Sequence, residues 1–347
     1  MARSTGKVRA ARLTDLAALG ELSRLAQADS EGTRSLGLPV TGPRIGMFSL
    51  FRLPLGAFSP NDVMYVFDRD GHVAGLLRAE RDSPRDEWTV VELDAVGDLD
   101  AGDVRFRLVQ HLLRDGGKRG AVRFHVACGD VDDNVELFMQ AGFIRFGDEH
   151  ILFREPDDPL PGPMPDSQAR EARIRPAASL DALPLSRLSA SVTPAPVQRL
   201  ENVRMLDWER QGREWRVPRS SLAPILRFAD VDAFVQETEG GGPDGTQLDA
   251  FVQIGVAKED QPHYLKLMAR PEADVVPLIR HALGTISAGA DASGRRLGVL
   301  APVRTYESPI DRRLEEEGFA SIATVTLLMK ETLVRVAEPR LVPAGVR

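Results

Sequence analysis

Residues 121–155 read AVRFHVACGDVDDNVELFMQAGFIRFGDEHILFRE, and residues 297–331 read LGVLAPVRTYESPIDRRLEEEGFASIATVTLLMKE. The first stretch predicts a strand over 121–127, a helix over 132–140, a corner at Gly142-Phe143 and a hairpin over 143–155. The second predicts a strand over 297–303, a helix over 309–317, a corner at Gly318-Phe319 and extended chain over 320–331. The corners are 176 residues apart, and the closing runs Leu152-Phe153-Arg154-Glu155 and Leu328-Met329-Lys330-Glu331 keep that spacing. Self-similarity at one long period is a fold-level signal. It predicts one unit occurring twice in 347 residues.

The flanking segments repeat in the same order. Residues 8–12 predict a strand, and Leu13-Thr14-Asp15 a helix cap. Leu16, Leu19, Leu22 and Leu25 follow at helical spacing. In the second copy Ile174-Arg175-Pro176-Ala177 precedes Leu180, Leu183 and Leu188, with Asp181 aligned to Asp15. Val63–Asp68 and Val73–Glu80 flank Asp70-Gly71, a hairpin signal. Glu87–Val96 predicts the next strand, with Trp88, Val90, Glu92 and Asp94 on one face by simple alternation. Val104–Arg114 predicts a helix. Downstream, 195–211 and 275–287 predict helices, and 232–237, 248–258 and 263–270 predict strands. His111 and His281 match across the copies as packing residues. Residues 30–60, with an apolar patch at 47–55, read as a loop over a cleft. Five prolines between Pro156 and Pro165 favour an extended, semi-rigid spacer. The expected division is 1–155, a linker over 156–168, 169–338 and a frayed tail over 339–347.

Composition narrows the function classes. A net charge of −7 and a pI near 5.5 argue against nucleic-acid or anionic-membrane partners, which favour a basic face. The single cysteine, Cys128, excludes an internal disulfide and a cysteine-rich metal site. No two histidines have metal-ligand spacing, so no metal is expected. No apolar run approaches the roughly 20 residues needed to span a bilayer, and the N-terminus lacks the apolar core of a signal peptide. A soluble cytoplasmic protein is the expectation.

Each half orders strand, helix, three antiparallel strands, helix, strand, helix and two strands, with the Gly-Phe corner after the last helix. This resembles the GCN5-related N-acetyltransferase (GNAT) fold in tandem, over about 8–155 and 174–331. It is similar to bacterial two-domain GNAT proteins whose copies end in a run like Leu327–Val336. The expected fold class is α/β (α+β), a duplicated unit with a mixed central sheet flanked by helices. The resemblance implies an acyl-CoA, such as acetyl-CoA, bound where two parallel strands splay apart. Those strands are 87–96 with 121–127, and 263–270 with 297–303. The pyrophosphate would rest on the N-terminus of the intervening helix, where free N–H groups and the helix dipole attract anions. The contacts so implied are Leu93, Ala95, Val104 and Arg105 in the first copy, and Leu267, Ala269, Arg270 and Val275 in the second. The resemblance also implies an amine acceptor, small molecule or peptide, and leaves room for a homodimer.

The chain departs from the family pattern at its chemical positions. The glycine pair expected before the helix falls on Asp103 and Arg105, and on Ala273 and Val275. Asp98, Asp100 and Asp103, and in the second copy Glu272 and Asp274, place carboxylates where a pyrophosphate would sit; capping carboxylates are the commoner reading. The tyrosine expected four residues before each corner is Phe138 or Leu314, and neither donates a proton. Glu92 is the candidate base, with an ion-paired strand carboxylate as the alternative; Lys266 takes the comparable place in the second copy. Tyr306 is the candidate acid. His125, sharing a face with Arg123, reads as a structural histidine or a proton shuttle. Cys128 reads as a buried small apolar residue ahead of a nucleophile, and Trp208 and Trp215 as helix-to-sheet packing. Two functions stay open: an N-acyltransferase with at most one active copy, or a degenerate tandem unit that binds a ligand or partner.

Overall fold

A computed structural model describes residues 6–27, 36–39, 61–82, 86–96, 100–129, 132–209, 219–241, 247–258, 261–291 and 296–332. The 47–55 patch, Asp98, Trp215 and the tail after 332 lie outside them. The first half contributes β1 (Lys7–Ala10), α1 (Leu16–Gln27), β2 (Asp62–Arg69), β3 (His72–Asp82), β4 (Glu87–Ala95), α2 (Ala101–Lys118), β5 (Arg123–Gly129), α3 (Asp132–Gln140) and β6 (Ile144–Arg154). After α4 (Asp166–Glu171), the second contributes β7 (Ile174–Pro176), α5 (Ala182–Val192), α6 (Ala195–Glu201), α7 (Met205–Glu209) and β8 (Phe228–Glu237). It continues with β9 (Leu248–Ala257), β10 (His263–Ala269), α8 (Val276–Asp291), β11 (Val299–Arg304), α9 (Ser308–Glu316) and β12 (Ala320–Glu331).

The duplication is visible in side-chain chemistry as well as in element order. Arg9 makes a two-pronged bond to Asp15 at 2.7 and 3.0 Å, and Asp15 accepts from Arg12 N. Arg175 makes the same bond to Asp181 at 2.8 Å twice, and Asp181 accepts from Ala178 N. Both carboxylates fix the strand-to-helix entry. Gly142 and Gly318 take φ of 89° and 87°, the left-handed conformation that lets each helix end turn sharply into its Phe. His111 stacks edge-on against Tyr65 and His281 against Phe234, as expected of packing residues.

The twelve strands among the described residues join one sheet, in the order β1-β2-β3-β4-β5-β12-β6-β11-β10-β9-β8-β7. The order reveals an exchange. β12, from the second half, pairs antiparallel with β5 of the first, and β6, from the first half, pairs antiparallel with β11 of the second. β6 and β12 cross each other with Glu149 opposite Val325, two residues that are themselves 176 apart. That pair marks the local dyad of the two copies. The predicted hairpin over 143–155 is therefore one unbroken strand. A hairpin would pair with itself, whereas the straight strand finds a partner on each edge and leaves no open edge at the centre of the sheet. Exchange also links each strand to the other copy's corner. Lys330 Nζ donates to Ala141 O at 2.7 Å, and Arg154, its equivalent, donates to Glu317 O. Each cation caps the C-terminal carbonyls of a helix from the other copy.

Helices α2 and α3 cover one face of the first half, over Trp88, Val90, Leu93 and Phe124, with Phe138 of α3 packed into the same core. Helices α8 and α9 cover the corresponding face of the second, over Leu265, Leu267, Val299 and Val303. Leu160 and Met164 of the Pro-rich segment pack against this second core, so the spacer lies on the protein surface instead of standing clear of it. Predicted helix 195–211 is broken after Glu201, where Asn202 takes φ of 45°.

Candidate functional site

The site follows from where a strand ladder stops. β4 and β5 pair in parallel from Glu87↔Arg123 to Val90↔Val126, and no further, although both strands run on. At that point β4 carries a bulge. Ala79 faces Val90 and Arg78 faces Glu92, so Val91 is the extra residue. The bulge resets the alternation. Val90 and Leu93 therefore both face the α2 core, while Glu92 and Asp94 turn to the opposite face. The expected grouping of Glu92 and Asp94 with Trp88 and Val90 is corrected by this one inserted residue.

The second half stops its ladder sooner, after His263↔Val299 and Tyr264↔Leu300. Pro302 offers no N–H to extend it. β10 has no bulge, so Lys266 faces Gln253 as Glu92 faces Arg78. Its ammonium crosses the gap, donating to Pro302 O at 3.2 Å and to Glu307 Oε2 at 2.9 Å. Glu307 also accepts from Arg304 N at 3.0 Å. Both side chains are almost fully buried, at 1% and 7% exposure. The second wedge is thus filled by a salt bridge.

In the first half a cavity of about 320 Å³ opens at the end of the ladder, on the face away from α2. Thr89, Val90 and Val91 of β4 and His125, Val126 and Ala127 of β5 form its floor. Its roof comes from the other half, the segment Arg219–Arg227. Ser220 Oγ accepts from Leu222 N and Ala223 N and shapes a tight turn. Leu222 and Leu226 are buried against Ala127, Tyr264, Leu300 and Leu327. At about 1.5–3 kcal/mol per buried leucine, these two anchors hold the segment firmly on the sheet. Glu149, fully buried at the local dyad, accepts from Ser221 N at 2.8 Å and lies 3.3 Å from Arg304 Nε. Arg304 in turn donates to Glu201 at 2.9 Å and to Arg219 O at 3.1 Å.

The cavity holds a charged cluster of which the sequence reading names His125 and Arg123 but not Glu87 or Arg219. Glu87 is buried, and its contacts include Arg219 in an ion pair, Arg123 Nη1 at 3.4 Å and His125 Nε2 at 3.4 Å. Burial pushes the Glu87 carboxyl up, but His125 and Arg219 outweigh it and hold it well below the usual range. Burial, reinforced by Arg219, pushes His125 down to about 4, so at neutral pH it is an uncharged imidazole. Glu87 looks like the first residue of an ordinary strand in the sequence. Its partner Arg219 is 132 residues away, and nothing in local spacing announces it.

The predicted residues fall elsewhere. Glu92 accepts from Arg78 Nε at 3.1 Å and does not line the cavity. Tyr306 lies in a short helical turn after β11, also outside the lining; burial raises its hydroxyl pKa. The side chains of Leu93, Ala95, Val104, Leu267, Ala269 and Val275 are core. Arg270 Nε donates to Leu248 O at 3.1 Å. Arg105 is buried and donates to Asn134 Oδ1 at 2.6 Å, tying α2 to α3. Its charge also reaches Asp94 and Cys128, on the two strands past the point of splay. Burial, with Glu92 adjacent, pushes Asp94 up to about 9. Burial pushes the Cys128 thiol up to about 12, which fits a packed residue and not a nucleophile. Trp208 is buried under α5, as expected.

The residues present match an acyl-CoA in part. Above the N-terminus of α2 a Cβ on Gly102 would meet nothing, so the backbone there is open to a ligand. Asp100 is paired with Arg69, and Asp103 lies 3.9 Å from Arg107, so each carboxylate has a cation beside it. Arg105, implied as a coenzyme contact, is instead buried and engaged with Asn134. Among the described residues, no group of three or more His, Cys, Asp or Glu side chains could hold a metal ion, and no helix is long and apolar enough to cross a membrane.

No family model and no curated protein matches the chain. Solved structures do. A tandem GNAT protein from the clavulanic acid biosynthesis pathway is similar with a TM-score of 0.55 and 13% identity, over 94% of this chain and 98% of that one. A GCN5-related N-acetyltransferase from Sphaerobacter thermophilus is similar with a TM-score of 0.57 and 13% identity, over 94% and 95%. At this identity the likeness is one of fold.

Proposed function

We propose that this chain, which has the tandem GNAT fold, transfers an acyl group from an acyl-CoA such as acetyl-CoA to the amine of a small molecule. The reaction runs at the wedge of the N-terminal half, and the second half has no site of its own. The observation behind this reading is the cavity of about 320 Å³ at the end of the β4–β5 ladder, against a salt bridge at the same place in the other half. A cavity of that size suits a compact amine better than a folded or extended peptide. In this reading residues 1–155 form the active domain and 169–338 a closed one, and the donor places the protein in the cytoplasm.

The chemistry asks for few groups. An amine nitrogen attacks the thioester carbonyl carbon, the C–S bond breaks, and the CoA thiolate takes up a proton. The attacking nitrogen must lose a proton as it becomes an amide. His125 lines the cavity as a neutral imidazole and can accept that proton, with Glu87 beside it to balance the imidazolium. Glu87 itself stays ionised against Arg219 and Arg123. The surrounding Val90, Val91, Phe146 and Leu327 exclude water, which strengthens these interactions.

The Arg105–Asn134 bond favours a second reading, a degenerate GNAT that binds a ligand or partner without turnover. Free-thiol release from acetyl-CoA with a panel of small amines, beside calorimetry with acetyl-CoA, separates the two. The first reading expects turnover that His125→Gln cuts by about 100-fold or more. Binding without thiol release supports the second, and no binding at millimolar acetyl-CoA removes both coenzyme readings.

A further inference from the structure

We infer that the C-terminal half completes the N-terminal site, and that Arg219 is a positioning residue that fixes Glu87 against His125 from across the chain. The inference rests on the acyl-transfer reading for its kinetic arm, and on geometry alone for the rest. The floor of the cavity belongs to β4 and β5, but its roof, Ser220 to Arg227, enters from the second half after α7. That segment is built to stay in place. Leu222 and Leu226 are buried in a cluster containing residues of both halves, and the Ser221 N–H is held by Glu149. Arg219 O is held by Arg304. With its backbone fixed, Arg219 directs its guanidinium at Oε2 of Glu87, the oxygen that lies 3.4 Å from His125 Nε2. A single carboxylate oxygen thus faces both a fixed cation and the imidazole.

The charges around His125 come from several elements. Glu87 reaches it from β4 and Arg123 from its own strand, and Arg219 faces it from the roof. β3 presents Glu80 and Asp82 to the same cavity, while Arg227, Glu201 and Arg304 line its far side. Arg219 opposes protonation of His125, and Glu87 favours it. Removing the cation takes away a repulsive charge, so His125 titrates higher, and leaves Glu87 without the anchor that orients it toward the imidazole, so transfer slows. The closed second half therefore has a use: it roofs the other half's wedge and tunes the imidazole there.

The test uses the full-length chain with Arg219→Met and Arg219→Lys. The imidazole titration of His125 is followed by NMR without ligand, and kcat and KM are measured across pH. Loss of the charge in R219M should move the His125 titration up by about one pH unit. It should lower kcat by about tenfold with KM changed less than about twofold, while R219K stays close to the parent. If both variants move the titration equally, or neither moves it, Arg219 only packs and the inference fails. R219K, which keeps the charge, remains informative should R219M fold poorly. Absence of turnover in every protein counts against acyl transfer, and the titration then decides the role of Arg219 by itself.

Discussion

The two halves share strand order, helix entries and corners, yet differ by one residue where it matters. The first half inserts Val91 into β4, and beyond it the parallel ladder opens into a cavity. The second half has no insertion, and Lys266 closes the same gap with Glu307. A duplicated fold can thus keep its architecture while one copy converts its opening into a buried ion pair. Buried pairs contribute little net stability but are costly to break, so this closure is hard to reverse by single substitutions.

The largest expected effect lies at that pair. Lys266→Ala leaves Glu307 buried without its cation and should cost about 3–5 kcal/mol in urea unfolding. Lys266→Met with Glu307→Gln should recover at least half of it, because no uncompensated charge remains. A cost under about 1 kcal/mol for the single change would mean that water already reaches the second wedge.

The open half should show itself in acid. His125 has its pKa lowered from 6.5 to about 4 in the folded protein. The folded state therefore binds the proton less readily than the unfolded chain. The stability from keeping His125 neutral is complete above about pH 6.5 and is lost as pH falls toward about 4, an effect on the order of 3 kcal/mol. His111 and His281 are shifted the same way and add to the window. His125→Gln should flatten stability between pH 6.5 and 4 in part, and an unchanged slope would contradict the neutral, buried histidine.

The smallest effect is expected at Glu92. Its carboxylate is held by Arg78 across the β3–β4 pair and is not among the residues that line the cavity. Glu92→Gln should change the transfer rate by less than about threefold and stability by about 0–1 kcal/mol. A hundredfold loss would restore Glu92 as the base and displace His125.

How much of this was legible in the sequence depends on range. The repeated corners, the paired Asp15 and Asp181 and the matched terminal runs are local patterns, and they carried the fold. The strand exchange was not legible, because 143–155 satisfies a hairpin or a single strand equally until β11 and β12 are seen to need partners. The site was hidden for two reasons. A bulge shifts which residues share a face without altering composition, so simple alternation groups Glu92 with Trp88 and Val90. The pairing of Glu87 with Arg219 depends on a segment delivered by the second half, which no spacing rule encodes.

The most direct test of an open first half and a closed second half is titration of the full chain with acetyl-CoA, following heat and the imidazole signals of His125 and His263 together. The account predicts one equivalent per chain and a shift at His125, with His263, buried at the start of β10, unmoved. Two equivalents per chain, or a single one that moves His263 and leaves His125 in place, would contradict it.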